Sequence, residues 1–169
     1  GGVLVFGDDL ERIHVFQVAG GRARRVGRHI RAGAAVRGGA GNAPGGGPAY
    51  IGNEAGTVYA VRRNSTKDWD RTPIRAPIHR TPAVDARLVY VPYTTGTVVA
   101  LQRNGGERRW EFPRLGPPVE ALTPLLYGPD LLLVPYADGL IVALDRMTGT
   151  QRWNYQIAAR LSADAVVKR

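Results

Sequence analysis

The sequence predicts an all-β protein made of about four antiparallel sheets of four strands each, arranged as the blades of a β-propeller. Three near-copies of one segment carry this prediction, and each reads as strand, glycine turn, strand, second turn and tryptophan. The three tryptophans lie 41 and 43 residues apart, and the glycines of the first turns lie 40 and 43 residues apart. A repeat of about 40 to 45 residues is typical of a four-stranded propeller blade.

The last copy shows the pattern most clearly. Two short apolar runs, residues 131–135 and 140–144, flank a four-residue connection that ends in Asp138 and Gly139. Aspartate followed by glycine favours a tight reversal between antiparallel strands. Both runs are apolar at every position, as expected for strands that pack against a neighbouring sheet on each face. The pattern therefore predicts a hairpin buried between two other blades.

The second turn of this copy, ALDRMTGTQRW, resembles the tryptophan-docking repeat of the quinoprotein-like propellers, a family named for pyrroloquinoline quinone. In such repeats the tryptophan lies flat between blades, and polar groups of the turn hold the backbone. The resemblance implies a structural docking role for Trp69, Trp110, Trp153, Gly56, Gly96, Gly139, Ala60, Ala100, Ala143, Asp145 and Gly149. Replacing Trp153 by alanine is then expected to destabilise its blade by about 3 to 5 kcal/mol.

The blades are expected at residues 1–33, 34–76, 77–118 and 119–160, with residues 161–169 beginning a further strand. The first copy is eroded: Val26 stands at the tryptophan position, and an innermost strand is missing. In the resembling family, segments like those that begin at Thr81 and Thr123 form the innermost strand of a blade. The sequence thus predicts one incomplete blade followed by three complete ones.

The second blade contains an insertion. Residues 34–36 look like a degenerate innermost strand, with residues 49–51 as its partner. Between them, residues 37–48 read RGGAGNAPGGGP, a composition that favours a flexible loop. We therefore expect a surface loop between two paired strands and not a boundary between domains.

The number of blades predicts part of a larger ring. Quinoprotein-like propellers close with about seven or eight blades, so four blades would leave two apolar faces open. Three arrangements could cover these faces: the remainder of the same polypeptide, a second copy of this chain, or a four-bladed closure with wedge-shaped blades. The first arrangement is the preferred expectation.

The chain is strongly basic, with 23 lysines and arginines against 14 acidic residues and a net charge of +9. Only two of the 23 are lysines, and the densest arginine cluster lies between Arg22 and Arg31. Such a cluster can bind phosphates or an acidic protein, or it can be a solvated outer strand. No aromatic residue is interleaved with these arginines to stack on bases, so nucleic acid is the less favoured partner.

The sequence does not predict a catalytic, cofactor-binding or metal-binding residue. The chain has no cysteine, and its three histidines lie 15 and 50 residues apart, without the spacing of a metal site. The paired aspartates fall in predicted turns, where aspartate is common because it bonds to the backbone. The enzymes of the resembling family hold pyrroloquinoline quinone over a metal ion, and a segment of such a dehydrogenase is the alternative interpretation.

The resemblance implies a function closest to that of the non-enzymatic propeller scaffold of the outer-membrane barrel assembly machinery. We therefore predict a protein-binding scaffold of the bacterial cell envelope, in the periplasm or at the outer membrane, with peripheral membrane contact at most and without a small-molecule substrate. A basic module that binds polyanions is a further alternative. The residues expected to bind partners are Tyr93, Tyr136, Arg108, Arg109, Arg152, Arg24, Arg25 and Arg28.

Overall fold

The computed structural model of the chain describes residues 2–161. Sixteen strands in this part of the chain form four four-stranded antiparallel sheets, which confirms the predicted all-β fold with four blades. The described residues include no helix with the length and apolar content needed to cross a bilayer.

Blades 2, 3 and 4 are meanders in which consecutive strands pair, whereas in blade 1 the third and fourth strands both pair with the second. Blade 1 contains β1 (Gly2–Gly7), β2 (Arg12–Ala19), β3 (Arg22–Arg25) and β4 (Ile30–Arg31), and blade 2 contains β5 (Gly41–Asn42), β6 (Ala49–Gly52), β7 (Val58–Val61) and β8 (Lys67–Arg71). Blade 3 contains β9 (Ala83–Val84), β10 (Leu88–Pro92), β11 (Val98–Gln102) and β12 (Arg108–Phe112), and blade 4 contains β13 (Leu125–Tyr127), β14 (Leu131–Pro135), β15 (Leu140–Asp145) and β16 (Gln151–Gln156).

The hydrophobic core lies between the blades. Three clusters of buried side chains fill the junctions of blade 1 with blade 2, blade 2 with blade 3, and blade 3 with blade 4. The middle strands of blade 3 contribute to two junctions, and all five residues of β10 are buried. These strands are apolar at successive positions because both faces of the sheet are covered by a neighbouring blade.

A β-bulge recurs where the third strand of a blade meets the fourth. The register shifts after Ala60, Ala100 and Ala143, and each of these alanines lies directly opposite the tryptophan of its own blade. A bulge changes the direction of the side chains next to it. The small side chain and the bulge together leave room for the indole to extend towards the next blade.

Blade 1 differs from the other three. Both β3 and β4 pair with β2, along different parts of that strand, and the hairpin from β2 to β3 turns at Gly20 and Gly21. β1 forms the other edge of the sheet. β1 and β2 thus correspond to the second and third strands of the other blades, and the described residues include no innermost strand for blade 1.

The expected innermost strand of blade 2 at residues 34–36 is wrong, because β5 occupies that place and pairs with β6. Val36 instead packs against blade 1, where it fills the space that a Cβ atom at Gly7 would need. A Cβ atom at Gly41 would overlap the Pro82 carbonyl oxygen. Only glycine allows β5 to come this close to the neighbouring blade. Because β5 consists of a glycine and an asparagine, a search for apolar strands in the sequence could not identify it.

The expected flexible loop at residues 37–48 also needs correction in its first half. Gly38 and Gly39 lie against residues 79–81 of the neighbouring segment, at distances that leave no room for a side chain. Gly45 and Gly46, by contrast, have open space around them. The glycines of the first half allow close packing against the neighbouring segment, whereas Gly45 and Gly46 lie in an open loop. The further strand expected at residues 161–169 falls outside the described residues, apart from Leu161.

Candidate functional site

The tryptophans of blades 2 and 3 bridge adjacent blades. The indole Nε1 of Trp69 donates a hydrogen bond of 2.8 Å to the Arg103 carbonyl oxygen in the second turn of blade 3. Trp110 donates an equivalent 2.8 Å bond to the Arg146 carbonyl oxygen in blade 4. These two side chains are 7% and 8% exposed. Each indole therefore satisfies its polar group while its ring remains buried.

A glycine in the next blade makes room for each of these rings. A Cβ atom at Gly106 would lie 2.7 Å from Trp69 Cε3, and a Cβ atom at Gly149 would lie 2.6 Å from Trp110 Cδ2. Both glycines also have positive φ angles, of 75° and 73°. The docking unit is thus a tryptophan from one blade and a glycine turn from the following blade.

Asp145 holds the second turn of blade 4. Its Oδ1 accepts backbone hydrogen bonds of 3.0 Å from Met147 and Thr148, and its Oδ2 accepts one of 2.6 Å from Arg152 Nη2. These donors favour the charged carboxylate, with Arg152 the largest influence, and lower the pKa of Asp145 to about 2. The aspartate fixes the turn whose glycine receives Trp110.

The remaining docking residues lie within the hairpins. The side chains of Ala60, Ala100 and Ala143 are fully buried. The turn glycines Gly56, Gly96 and Gly139 have φ angles of 85°, 88° and 92°, in a region that disfavours any other residue. Each glycine lies against backbone of the segment that follows the fourth strand of its own blade.

Trp153 is the exception among the docking residues. It is 45% exposed, although its position in blade 4 matches that of Trp110 in blade 3. The structure describes no following blade whose turn could receive this indole. The expectation that Trp153 is docked is therefore wrong for the described residues. The loss of about 3 to 5 kcal/mol expected from its replacement is not tested by the structure and depends on that docking.

The expectation that Tyr93 and Tyr136 lie on an exposed binding surface is wrong. Both side chains are 0% exposed, and their hydroxyls donate to the carbonyl oxygens of Gly56 and Gly96, at 3.3 and 3.0 Å. Burial raises the pKa of both phenols well above their usual range. Each tyrosine connects its blade to the turn of the preceding blade, 37 and 40 residues away in the sequence. The local sequence around each tyrosine is typical of a turn and does not predict this long-range hydrogen bond.

The arginines expected near the docking turns are exposed, but two of them have carboxylate partners. Arg108 lies 2.6 Å from Glu111, and Arg152 lies 2.6 Å from Asp145. Arg109 has no ion pair among the described residues. These side chains cover the outer rim and do not converge on one site.

The arginines of blade 1 are close together in the sequence, at the edge strand β3 and the segment after it, and strand alternation places Arg24 and Arg25 on opposite faces of the sheet. Arg22, Arg24, Arg25, Arg28 and Arg31 are all exposed, and none of them has an ion pair within residues 2–161. We call these five residues the arginine edge. No aspartate or glutamate occurs between Glu11 and Glu54, so the sequence supplies no acidic neighbour along this stretch. This stretch without aspartate or glutamate was the sequence signal that could have distinguished these arginines from the arginines in the rest of the chain.

A small polar cluster lies beside the arginine edge. Asp8 Oδ2 is 2.7 Å from Arg12 Nε and 2.9 Å from His14 Nε2, and these bonds, His14 first, lower the pKa of the Asp8 carboxyl far below its usual range. Burial and the neighbouring charges of Arg12 and Arg25 lower the pKa of His29. Burial first, and then the positive charges of this side of blade 1, thus disfavour a positive charge on His29.

Sequence reasoning missed two ion pairs and one histidine–carboxylate contact along the segments that link the blades. Arg37 lies 2.5 Å from Glu54, His79 lies 3.4 Å from the same carboxylate, and Arg80 lies 3.1 Å from Glu120. The last two residues are 40 positions apart, which is one repeat. Opposite charges separated by one repeat length were the available signal. These pairs connect blades 2, 3 and 4 near the hairpin turns.

No three histidine, cysteine, aspartate or glutamate side chains in the described part of the chain are grouped so as to hold a metal ion. The absence of a catalytic or cofactor-binding residue, expected from the sequence, stays a prediction. The geometry provides a set of inter-blade contacts and an edge of blade 1 that carries exposed arginines.

Comparisons with known proteins agree with this architecture. No curated protein matches the chain. Among solved structures, BamB from Moraxella catarrhalis is 20% identical with a TM-score of 0.72, over 93% of this chain and 51% of that one. The computationally designed Ika8 protein is 14% identical with a TM-score of 0.77, over 99% of this chain and 51% of its own.

This chain therefore spans about half the length of either matched structure, and at these identities the likeness shows the fold alone. A family model matches the sequence from residue 10 to residue 168, and its description is outer membrane protein assembly factor BamB. The chain belongs to this family of BamB-like propellers.

Proposed function

We propose that this chain is a non-catalytic scaffold that binds protein partners in outer-membrane protein assembly, on the periplasmic side of that membrane. The observation that carries the proposal is the family match over residues 10–168, together with four blades of the corresponding fold. In this proposal the blades form a rigid support, and the binding residues lie on the outer surface.

The arginine edge supports a protein partner with acidic groups. Its guanidinium groups have no carboxylate partner within the described residues, so binding does not require an existing ion pair to break. Arginine suits such a surface because its planar group can bind a carboxylate through two parallel hydrogen bonds. β3 is also the outer edge of its sheet over residues 22–25. An extended acidic segment could pair with this edge through its backbone and contact the arginines through its side chains.

The test is a binding measurement with the purified periplasmic domains of the outer-membrane barrel insertase from the same organism. Isothermal titration calorimetry should give a saturable interaction at physiological ionic strength. A triple charge reversal within the arginine edge should weaken the affinity by at least about tenfold, because it replaces attraction by repulsion. The variant is Arg24→Glu/Arg25→Glu/Arg28→Glu.

A matched control separates the surface from the overall charge. Three other exposed arginines without ion pairs in the described residues can be reversed together, which changes the net charge by the same amount: Arg63→Glu/Arg75→Glu/Arg160→Glu. The control should bind like the parent. Equal weakening in both variants would show that net charge alone governs binding, and no binding by the parent would overturn the proposed partner.

A polyanion is the second candidate partner, because the arginine edge has no acidic residue in its sequence neighbourhood. This alternative predicts binding to DNA or to anionic lipid vesicles whose affinity decreases steeply as salt rises. Reversal of Arg24, Arg25 and Arg28 should abolish that binding. An affinity that neither salt nor charge reversal changes would exclude this candidate.

The dehydrogenase interpretation has a direct test. Pyrroloquinoline quinone and a divalent ion are added to the protein, and cofactor absorbance and dye-linked oxidation of alcohols are recorded. The non-catalytic proposal predicts neither a bound cofactor spectrum nor turnover.

A further inference from the structure

The second turn of blade 3 holds Trp69 from two sides. The Arg103 carbonyl oxygen accepts the indole hydrogen bond, and Gly106 leaves the space that the ring occupies. The dipeptide Asn104–Gly105 lies between these two residues. A 3.1 Å hydrogen bond from the Gly106 amide to the carbonyl oxygen of Gln102 closes the turn. The length of the backbone between Arg103 and Gly106 therefore determines how well the turn receives the indole.

An asparagine that precedes glycine can lose its side-chain amide without an enzyme. The backbone nitrogen of the glycine attacks the side-chain carbonyl carbon of the asparagine, its proton leaves with the departing ammonia, and a five-membered succinimide forms. Water then opens the ring at either carbonyl group and gives aspartate or isoaspartate. Glycine favours the attack because no side chain hinders the approach of its nitrogen. In isoaspartate the main chain runs through the former side chain, so the backbone is one methylene longer.

The two reacting groups are accessible in the folded chain. Asn104 is exposed, and its side chain forms no hydrogen bond within residues 2–161. The Gly105 amide donates no hydrogen bond to any described residue either, so no hydrogen bond has to break before its nitrogen attacks. Both residues lie in a turn and not in a strand, where the ladder would fix the backbone.

The other asparagines of the chain are protected. Asn64 occupies the position of Asn104 in blade 2, but a serine follows it. Its Oδ1 accepts hydrogen bonds of 3.2 and 2.6 Å from Thr66, and the Ser65 amide already donates a bond of 3.0 Å within the turn. The three remaining asparagines are Asn53, which is buried, and Asn42 and Asn154, which lie in strands. None of these four precedes a glycine.

We propose that Asn104 is a site of spontaneous deamidation, and that isoaspartate at this position weakens the docking of Trp69. The longer main chain displaces the two groups that hold the indole relative to each other, so the turn no longer fits both the hydrogen bond and the ring. The reaction also adds a carboxylate to the turn, where the Glu107 carboxylate already lies against Gly105. Like charges repel. Deamidation thus loosens the junction between blades 2 and 3.

Peptide mapping of the aged protein tests the site. The protein is incubated at mildly alkaline pH and then digested at acidic pH, where little further deamidation occurs. Mass spectrometry should show a gain of one mass unit in the peptide that contains residue 104, and isoaspartyl methyltransferase should methylate the aged protein. Asn64 is the matched control within the chain and should stay intact. No gain at residue 104, or an equally fast gain at Asn64, would overturn the proposal.

Two variants separate the longer backbone from the new charge. Asn104→Gln keeps an amide but would have to close a larger ring, so ageing should change neither its mass nor its urea midpoint. Asn104→Asp carries the charge on a normal backbone and is measured without ageing. The aged parent should unfold at a lower urea concentration than the fresh parent and than Asn104→Asp. An aged parent as stable as Asn104→Asp would overturn the proposed effect of the longer backbone.

A change at the indole shows whether the loss acts through docking. Trp69→Phe keeps an aromatic ring but cannot donate the hydrogen bond to Arg103. Ageing should therefore lower the urea midpoint of Trp69→Phe less than that of the parent, because part of the affected contact is already absent. Equal losses in both proteins would show that isoaspartate destabilises the turn without disturbing the docked indole, and would overturn this part of the proposal.

Discussion

Blades 3 and 4 contain the same docking elements in different surroundings. In both blades a tryptophan lies opposite a buried alanine and next to a β-bulge. Trp110 is 8% exposed and bonded to the turn of blade 4, whereas Trp153 is 45% exposed. The difference arises from the neighbour on the C-terminal side of each blade, since Trp110 meets Gly149 and the described residues provide no equivalent glycine for Trp153. The docking motif is therefore shared between two blades, and one blade alone contains only half of it.

The largest effect is expected from removing the docked indole. Trp110→Ala should destabilise the chain by about 3 to 5 kcal/mol, because it leaves a cavity at the junction and removes the hydrogen bond to Arg146. Urea denaturation followed by circular dichroism measures this. A loss below about 1 kcal/mol would show that the indole does not hold the two blades together.

A smaller loss is expected from the receiving side of the same contact. Gly149→Ala should destabilise by about 2 to 3 kcal/mol, since its Cβ atom strains the backbone and overlaps the Trp110 ring. Gly21→Ala is the matched control, because Gly21 has a φ of 71°, close to the 73° of Gly149, but open space around it. The control should lose only about 1 kcal/mol. Equal losses would mean that backbone strain explains the whole effect.

A loss of about 1 kcal/mol is expected from Asp145→Asn at neutral pH, because the amide cannot replace the charged acceptor. The pKa of Asp145 is about 2 in the folded chain, against 3.8 for the free group. A depressed folded pKa stabilises the fold above the unfolded value, and this contribution disappears as the pH falls through the folded value. The stability difference between parent and variant should therefore be constant above about pH 5 and shrink between about pH 4 and pH 2. A difference independent of pH would contradict a stabilising carboxylate.

The smallest effect is expected at the uncovered tryptophan. Trp153→Ala should change the stability of the single copy by less than about 1 kcal/mol, because the indole already contacts solvent and leaves little cavity behind. Unfolding should be measured at low protein concentration, so that self-association does not contribute. A loss as large as that of Trp110→Ala, with the chain still monomeric, would show that Trp153 is covered within its own chain.

The repeat pattern predicted most of the fold because it depends on local sequence. Turn glycines such as Gly96 and Gly139 and the apolar runs beside them determine hairpins without reference to distant residues. The innermost strand of blade 2 was misplaced because β5 consists of Gly41 and Asn42, which have no apolar signal. Its position depends on the close approach of its backbone to Pro82 in the next blade, and only the packed structure contains that contact.

The residues of the candidate site show the same difference between what local sequence predicts and what contacts between blades decide. Local sequence identified Trp110, Gly149 and Asp145 as parts of a turn motif, and the structure places them together at one junction. It could not tell Trp110 from Trp153, because their neighbourhoods in sequence are nearly the same. Tyr93 and Tyr136 follow proline at the end of a strand and resemble surface residues, yet each reaches a carbonyl oxygen one blade away.

The sequence by itself determined the strands, the hairpins and the period of the blades, since these depend on turn chemistry and on the alternation between apolar runs and glycine. Only the tertiary structure decided which of these residues are covered, because burial in a propeller belongs to the junction between two blades and not to either blade alone. Two similar motifs thus differ in burial, with Trp110 covered by the next blade and Trp153 exposed in the described structure.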